Sequence, residues 1–189
     1  MTTDISKNIL VEDTKGNYKS DSSKLLEDAI AKRNYKYADI AILLGVSDTL
    51  IYYNFMGKSQ IQLWEIVVLY EYSIANLTPA LIPPKASYSW HPHVLKNSIR
   101  KHTKFFDNCY SSEEKSEARK KLKLTINHLL AKSLAEAISS KKIKVNSIEE
   151  IDSSFIYKIK NEKGKHVSPW IIRFLYENYG VNLLECLFT

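Results

Sequence analysis

Laid over itself with an offset of 106 residues, the sequence places LWEIVVLYEYSIANLTPALI (63 to 82) on PWIIRFLYENYGVNLLECLF (169 to 188). Trp64 then falls on Trp170, Ile66 on Ile172, Leu69 on Leu175, Tyr70 on Tyr176, Glu71 on Glu177, Asn76 on Asn182, Leu77 on Leu183 and Leu81 on Leu187. Eight identities in twenty ungapped positions, a tryptophan pair among them, exceed what chance supplies. The chain is therefore built from one unit used twice. Upstream, Leu26, Ala29 and Ile30 match Leu134, Ala137 and Ile138 at an offset of 108, and Ile40 matches Ile148. Ile51 and Tyr52 match Ile156 and Tyr157 at 105, so the second copy has lost three residues, the counterparts of Leu44, Gly45 and Val46.

In the first copy those three residues lie inside YADIAILLGVSDTLIYYNFMGK (37 to 58), which reads as a helix, a tight turn and a second helix. Ile40, Leu43 and Leu44 share one helical face, and Ala41 beside them leaves room for a crossing helix. Gly45 can take the left-handed conformation that ends a helix. Val46 plugs the corner, Ser47 or Asp48 caps the next helix, and Leu50 and Ile51 return the chain to the core. Apolar residues recur at helical spacing through most of the chain, with only five glycines and five prolines, so the predicted class is all-α. An apolar content of 44% is enough for a packed core.

The order Ala41, Gly45, Ile51 resembles the signature of the Cro/C1-type (XRE-like) helix-turn-helix family of bacterial and phage DNA-binding domains. The resemblance implies five short helices in about sixty residues, with the outward face of the third helix in the major groove and its first residues at base edges. Carried over position by position, that face presents Ser47, Asp48, Thr49, Tyr52 and Tyr53, with Lys58, Lys36, Lys32 and Arg33 placed for phosphates. The strongest bidentate base readers are absent from its first positions. The second copy is similar to the same family over SSFIYKIKNEKGKHVSPWIIRFLYENYGVNLLECLF, but Glu149 replaces Ala41 and the glycine has no counterpart. Its third helix and following loop would bring Ser153, Ser154, Tyr157, Lys158, Lys160, Lys163, Lys165 and His166 to the DNA backbone.

In chain order, residues 1 to 21 are polar without a sustained period and read as a flexible tail. Residues 22 to 82 form the first helix-turn-helix domain, 83 to 115 a helical linker opened by Pro83 and Pro84, and 116 to 189 the second, degenerate domain. The expected architecture is two tandem five-helix bundles. Within the linker a helix is predicted from 93 to 107, with Leu95, Ile99 and Phe105 or Phe106 inward. Ser111 and Glu114 have the spacing of a capping box, opening a longer helix to about Ser139.

The net charge of +6 favours an acidic partner, and nucleic acid fits it. Cys109 and Cys186 form no CxxC pair and no secretory leader is evident, so free thiols and a cytoplasmic location are expected. No apolar run reaches the roughly 18 residues of a membrane span. His91, His93, His102 and Cys109 match no zinc spacing. No P-loop, carboxylate pair or activated nucleophile is present, so neither an enzyme, a cofactor, a metal nor a small-molecule ligand is expected. The expected function is a sequence-specific double-stranded DNA-binding transcriptional regulator, a repressor of bacterial, phage or mobile-element genes, acting as a homodimer on two half-sites. The alternative is a helix-turn-helix-derived interaction or dimerisation module, for which a degraded turn is the natural outcome.

Overall fold

The computed structural model describes residues 2–84, 94–107, 109–140 and 167–189. Among them the chain is all-α: α1 (Thr2–Arg33), α2 (Tyr37–Leu44), α3 (Asp48–Phe55), α4 (Leu63–Glu71), α5 (Thr78–Leu81), α6 (Asn97–Thr103), α7 (Ser112–Ser139) and α8 (Pro169–Tyr179). Single 3-10 turns follow at Lys104–Phe106 and Leu183–Leu187. An isolated antiparallel bridge joins Leu95 to Phe188. No described helix is long and apolar enough to cross a membrane.

Residues 2–21, expected as a flexible tail, instead form the first part of a 32-residue helix. The reason is a buried stripe at spacings of three and four: Val11, Thr14, Tyr18, Ser22 and Leu26. Two of its members, Thr14 and Ser22, carry short hydroxyls that donate one turn back, Thr14 Oγ1 to the Leu10 carbonyl at 2.8 Å and Ser22 Oγ to that of Lys19 at 3.1 Å. Tyr18 is fully buried and its phenol donates to the Ile61 carbonyl at 2.6 Å, fastening the helix to the segment before α4. Gly16 faces open space.

The predicted capping box opens α7. Ser111 Oγ accepts from the Glu114 N–H at 3.2 Å, and the Ser111 N–H donates to the Glu114 carboxylate at 2.8 Å. The buried stripe of α7 contains Leu122, Ile126, Leu130 and Leu134. These positions lie 108 residues after Thr14, Tyr18, Ser22 and Leu26, so the buried stripe of the repeat extends back along both long helices as far as Thr14 and Leu122.

Six of the eight identities also acquire physical reasons. Trp64 and Trp170 are both buried, as are Ile66, Leu69, Leu77 and Leu81 with their partners Ile172, Leu175, Leu183 and Leu187. Asn76 Oδ1 accepts from the Thr78 N–H at 3.1 Å, and Asn182 Oδ1 from the Leu184 N–H at 3.0 Å, the same bond from asparagine to the amide two residues on at the start of the fifth helical segment of each copy.

The two copies are not set apart as beads on a linker. α1 packs on α8 and α7 on α4, so each long helix covers the fourth helix of the other copy. Lys15 Nζ sits 4.8 Å from the Trp170 ring centre and Lys123 Nζ 5.6 Å from that of Trp64, contacts related by the offsets of the repeat. Arg173, buried on α8, donates to Asp21 at 2.6 Å and to the Ala80 carbonyl at 3.2 Å, tying α8 to the first copy. The expected linker is part of the same core: Leu95, Ile99 and Phe106 are fully buried in one cluster shared by both copies. α6 is shorter than predicted because Leu95 is held extended in its bridge to Phe188, with the Lys96 N–H on the Leu187 carbonyl at 2.9 Å.

Candidate nucleic-acid interface

The motif of the first copy forms as local chemistry dictates. Lys36 precedes α2 in extended conformation, and its N–H donates to the Asp39 carboxylate at 2.9 Å. Gly45 takes the left-handed conformation, φ 62° and ψ 42°. The Gly45 N–H then bonds the Ile42 carbonyl at 3.2 Å and the Val46 N–H that of Ala41 at 3.0 Å, which closes the helix. Of the two candidate caps Ser47 is the one used, its hydroxyl accepting from the Leu50 N–H at 3.3 Å.

α3 shows two faces. Ile51 and Asn54 are buried, while Ser47, Asp48, Thr49, Tyr52, Tyr53, Met56 and Lys58 are exposed. All five site residues expected of the first copy, Ser47, Thr49, Tyr52, Tyr53 and Lys58, thus share one open surface. Tyr37 meets Tyr52 edge-on with ring centres 6.3 Å apart, which brings the start of α2, with exposed Lys36, alongside. Lys58 Nζ is 5.9 Å from the Tyr53 ring centre. Exposed Lys32 and Arg33 line a separate cleft against Tyr70, Glu71 and Arg100. The candidate residues of the second copy, Ser153, Ser154, Tyr157, Lys158, Lys160, Lys163 and Lys165, lie outside the described residues.

Residues that sequence reasoning passed over hold this motif from behind. Lys115 of α7 is buried and its Nζ donates to the Ile42 carbonyl at 2.7 Å. Arg119, one turn on, donates to the Gly45 carbonyl at 2.6 Å and reaches that of Leu44 at 3.4 Å. Both cations stand at the negative end of α2. Desolvation lowers the pKa of both; nearby acidic groups oppose it, with Glu65 the one beside Arg119. Glu65, buried in the first turn of α4, accepts the Gln62 N–H at 2.6 Å. Burial pushes its carboxyl up to about 7, although that hydrogen bond, Lys123, Arg119 and the Asn54 amide all favour the charged form. Asn54 also accepts from Ser59 Oγ, and Ser23 of α1 donates to the Phe55 carbonyl, so α3 is anchored at its far end as well. The available signal was the register of α7: Lys115 lies seven residues before Leu122 on the same stripe.

The arrangement is a rigidly backed helix offering hydroxyls, phenols and one lysine to solvent. Among the described residues no His, Cys, Asp and Glu group suited to a metal occurs. No family model, curated protein or solved structure matches the chain.

Proposed function

We propose that the chain binds double-stranded DNA through the exposed face of α3, as a Cro/C1-like transcriptional regulator, a repressor of bacterial, phage or mobile-element genes working in the cytoplasm. The observation that carries this reading is the left-handed Gly45 between α2 and α3, with Ser47, Thr49, Tyr52, Tyr53 and Lys58 of the first copy open to solvent and the opposite face of α3 locked into the core. An α-helix fits the major groove. Ser47 and Thr49 provide short hydrogen-bonding groups at its leading end, and Tyr52 and Tyr53 reach sugars and phosphates. Lys58 and Lys36 neutralise backbone charge nearby, and Lys158, Lys160, Lys163 and Lys165 of the second copy add to it.

A second reading, a module that docks a protein, is favoured by one feature of the same face: Met56 (47% exposed), Tyr53 (44%) and Tyr52 (43%) give it an apolar cast. Binding isotherms on a selected duplex and on random duplex, over a salt series, separate the two. For a regulator, replacing Thr49 and Tyr52 with alanine weakens the selected site by roughly 1–3 kcal/mol per base contact and spares random duplex. Replacing Lys158, Lys160 and Lys163 weakens every duplex and flattens the salt dependence by about one unit for each phosphate no longer neutralised. Absence of salt-dependent duplex binding by the intact protein would leave the docking module.

A further inference from the structure

We propose that the second copy is the built-in partner of the first: the protein works as a single chain, and Arg119, carried across on α7, is the positioning residue for the turn between α2 and α3. Two subunits related by a twofold axis make each contact twice, residue i on j and j on i. Here the reciprocal contacts are made inside one chain. α1 of the first copy covers α8 of the second, α7 of the second covers α4 of the first, and the lysine on tryptophan contact recurs in both places. The surface that a homodimer of such units would use is thereby occupied from within.

Among the described residues the clamp on the turn, in contrast, is seen once. Arg119 and Lys115 hold the carbonyls of Gly45, Leu44 and Ile42. The fit is close, since a Cβ on Gly45 would stand 3.2 Å from Lys115 Cβ. At the offset of 108, the first copy carries Val11 where the second has Arg119, and the second copy lacks the counterparts of residues 44 to 46. The arginine of the clamp and the turn it holds are therefore each specific to one copy, whereas Lys115 has a lysine, Lys7, at its counterpart position. The second copy keeps the helix that serves its neighbour while its own turn is gone.

The inference rests on the DNA reading only for its measurements with duplex; sedimentation of the free chain and hydrogen exchange need no DNA. Sedimentation equilibrium of the full chain across micromolar concentrations should give the single-chain mass, and with a selected duplex one chain per duplex; a dimer in either case overturns the built-in partner. Hydrogen exchange then compares wild type with Arg119→Gln and with Lys123→Gln, a neighbour that touches Trp64 but not the turn. The Gly45 and Val46 amides should exchange about tenfold faster in Arg119→Gln alone, the loss expected for one charged hydrogen bond. Selectivity for the chosen duplex over random duplex should fall by about the same factor, while binding to random duplex persists. Wild-type exchange in Arg119→Gln overturns the positioning role. Should that variant lose cooperative melting, Arg119→Lys is read in its place, with a smaller rise expected and wild-type exchange again overturning the role. If the intact protein binds no duplex, the DNA reading fails while sedimentation and exchange still decide this one.

Discussion

Glu65 gives the stability of this protein a definite pH dependence. The carboxyl is 1% exposed, and its pKa rises from an ordinary 4.5 to about 7. Desolvation is the cause, opposed by the Gln62 N–H, by Lys123 and Arg119 on α7 and by Asn54 on α3. Tyr18 of α1 faces the same site, its own pKa raised by burial and by the Glu65 charge. Because the folded pKa lies above the unfolded one, the folded state holds the proton more tightly. This contribution to stability is complete below pH 4.5 and is lost as pH rises through 7. A difference of about 2.5 units corresponds to about 3 kcal/mol in full, of which about 2.5 falls between pH 5 and 8. Glu65→Gln keeps an oxygen for the Gln62 N–H and cannot ionise. Urea unfolding of wild type and variant at pH 5, 6, 7 and 8 isolates the effect, since other titrating groups cancel in the difference. The variant should gain on wild type by about 2–3 kcal/mol from pH 5 to pH 8. A difference that stays flat over that range, or runs the other way, would refute the reasoning.

Two glycines and one ion pair offer further tests. Gly16→Ala, at a helical position with nothing within 4 Å of the new methyl, should raise stability by about 0.5–1 kcal/mol in urea unfolding. Gly45→Ala should do the opposite, losing about 1–2 kcal/mol to the left-handed backbone alone and more as α7 is displaced. Asp21→Ala removes the acidic partner of buried Arg173 on the other copy. With Asp21 44% exposed and Glu177 still bonded to the guanidinium at 2.8 Å, thermal melting should show a loss of about 1–2 kcal/mol rather than the cost of a fully buried pair.

What the sequence made legible is what neighbouring residues decide among themselves. The Gly45 turn, the Ser47 cap and the Ser111–Glu114 box each need only a few consecutive residues, and all three form. The exposed face of α3 follows from helical geometry once its buried residues are known. The first half of α1 was hidden because hydroxyls stand where apolar residues are sought, at Thr14 and Ser22, while Leu10 is 49% exposed. Those hydroxyls bond within their own helix, so burying them leaves nothing unsatisfied. The packing of each long helix on the other copy depends on residues far apart in the chain, Lys15 with Trp170 and Lys123 with Trp64, which no local pattern encodes. Lys115 and Arg119 look like an ordinary solvated face by composition, and only the carbonyls opposite explain why they turn inward.

The differences between the two copies follow from one another. Ending α2 on a left-handed glycine leaves the carbonyls of Ile42, Leu44 and Gly45 facing α7, and cations there answer the negative end of the helix. Cations drawn into a packed interface require a compensating charge, and Glu65 stands within electrostatic reach of both Arg119 and Lys123. A buried carboxylate in turn requires donors, which the Gln62 N–H and the Asn54 amide provide. Remove the turn and each step loses its reason. The second copy lacks residues 44 to 46, and at the positions of Arg119, Glu65 and Asn54 the repeat carries Val11, Ile171 and Ile159. Val11 and Ile171 are buried in the common core, where an apolar side chain carries no desolvation cost. Three polar-to-apolar differences thus accompany the deletion in the sense this chain of pairings requires, while Lys7 keeps a cation at the position of Lys115.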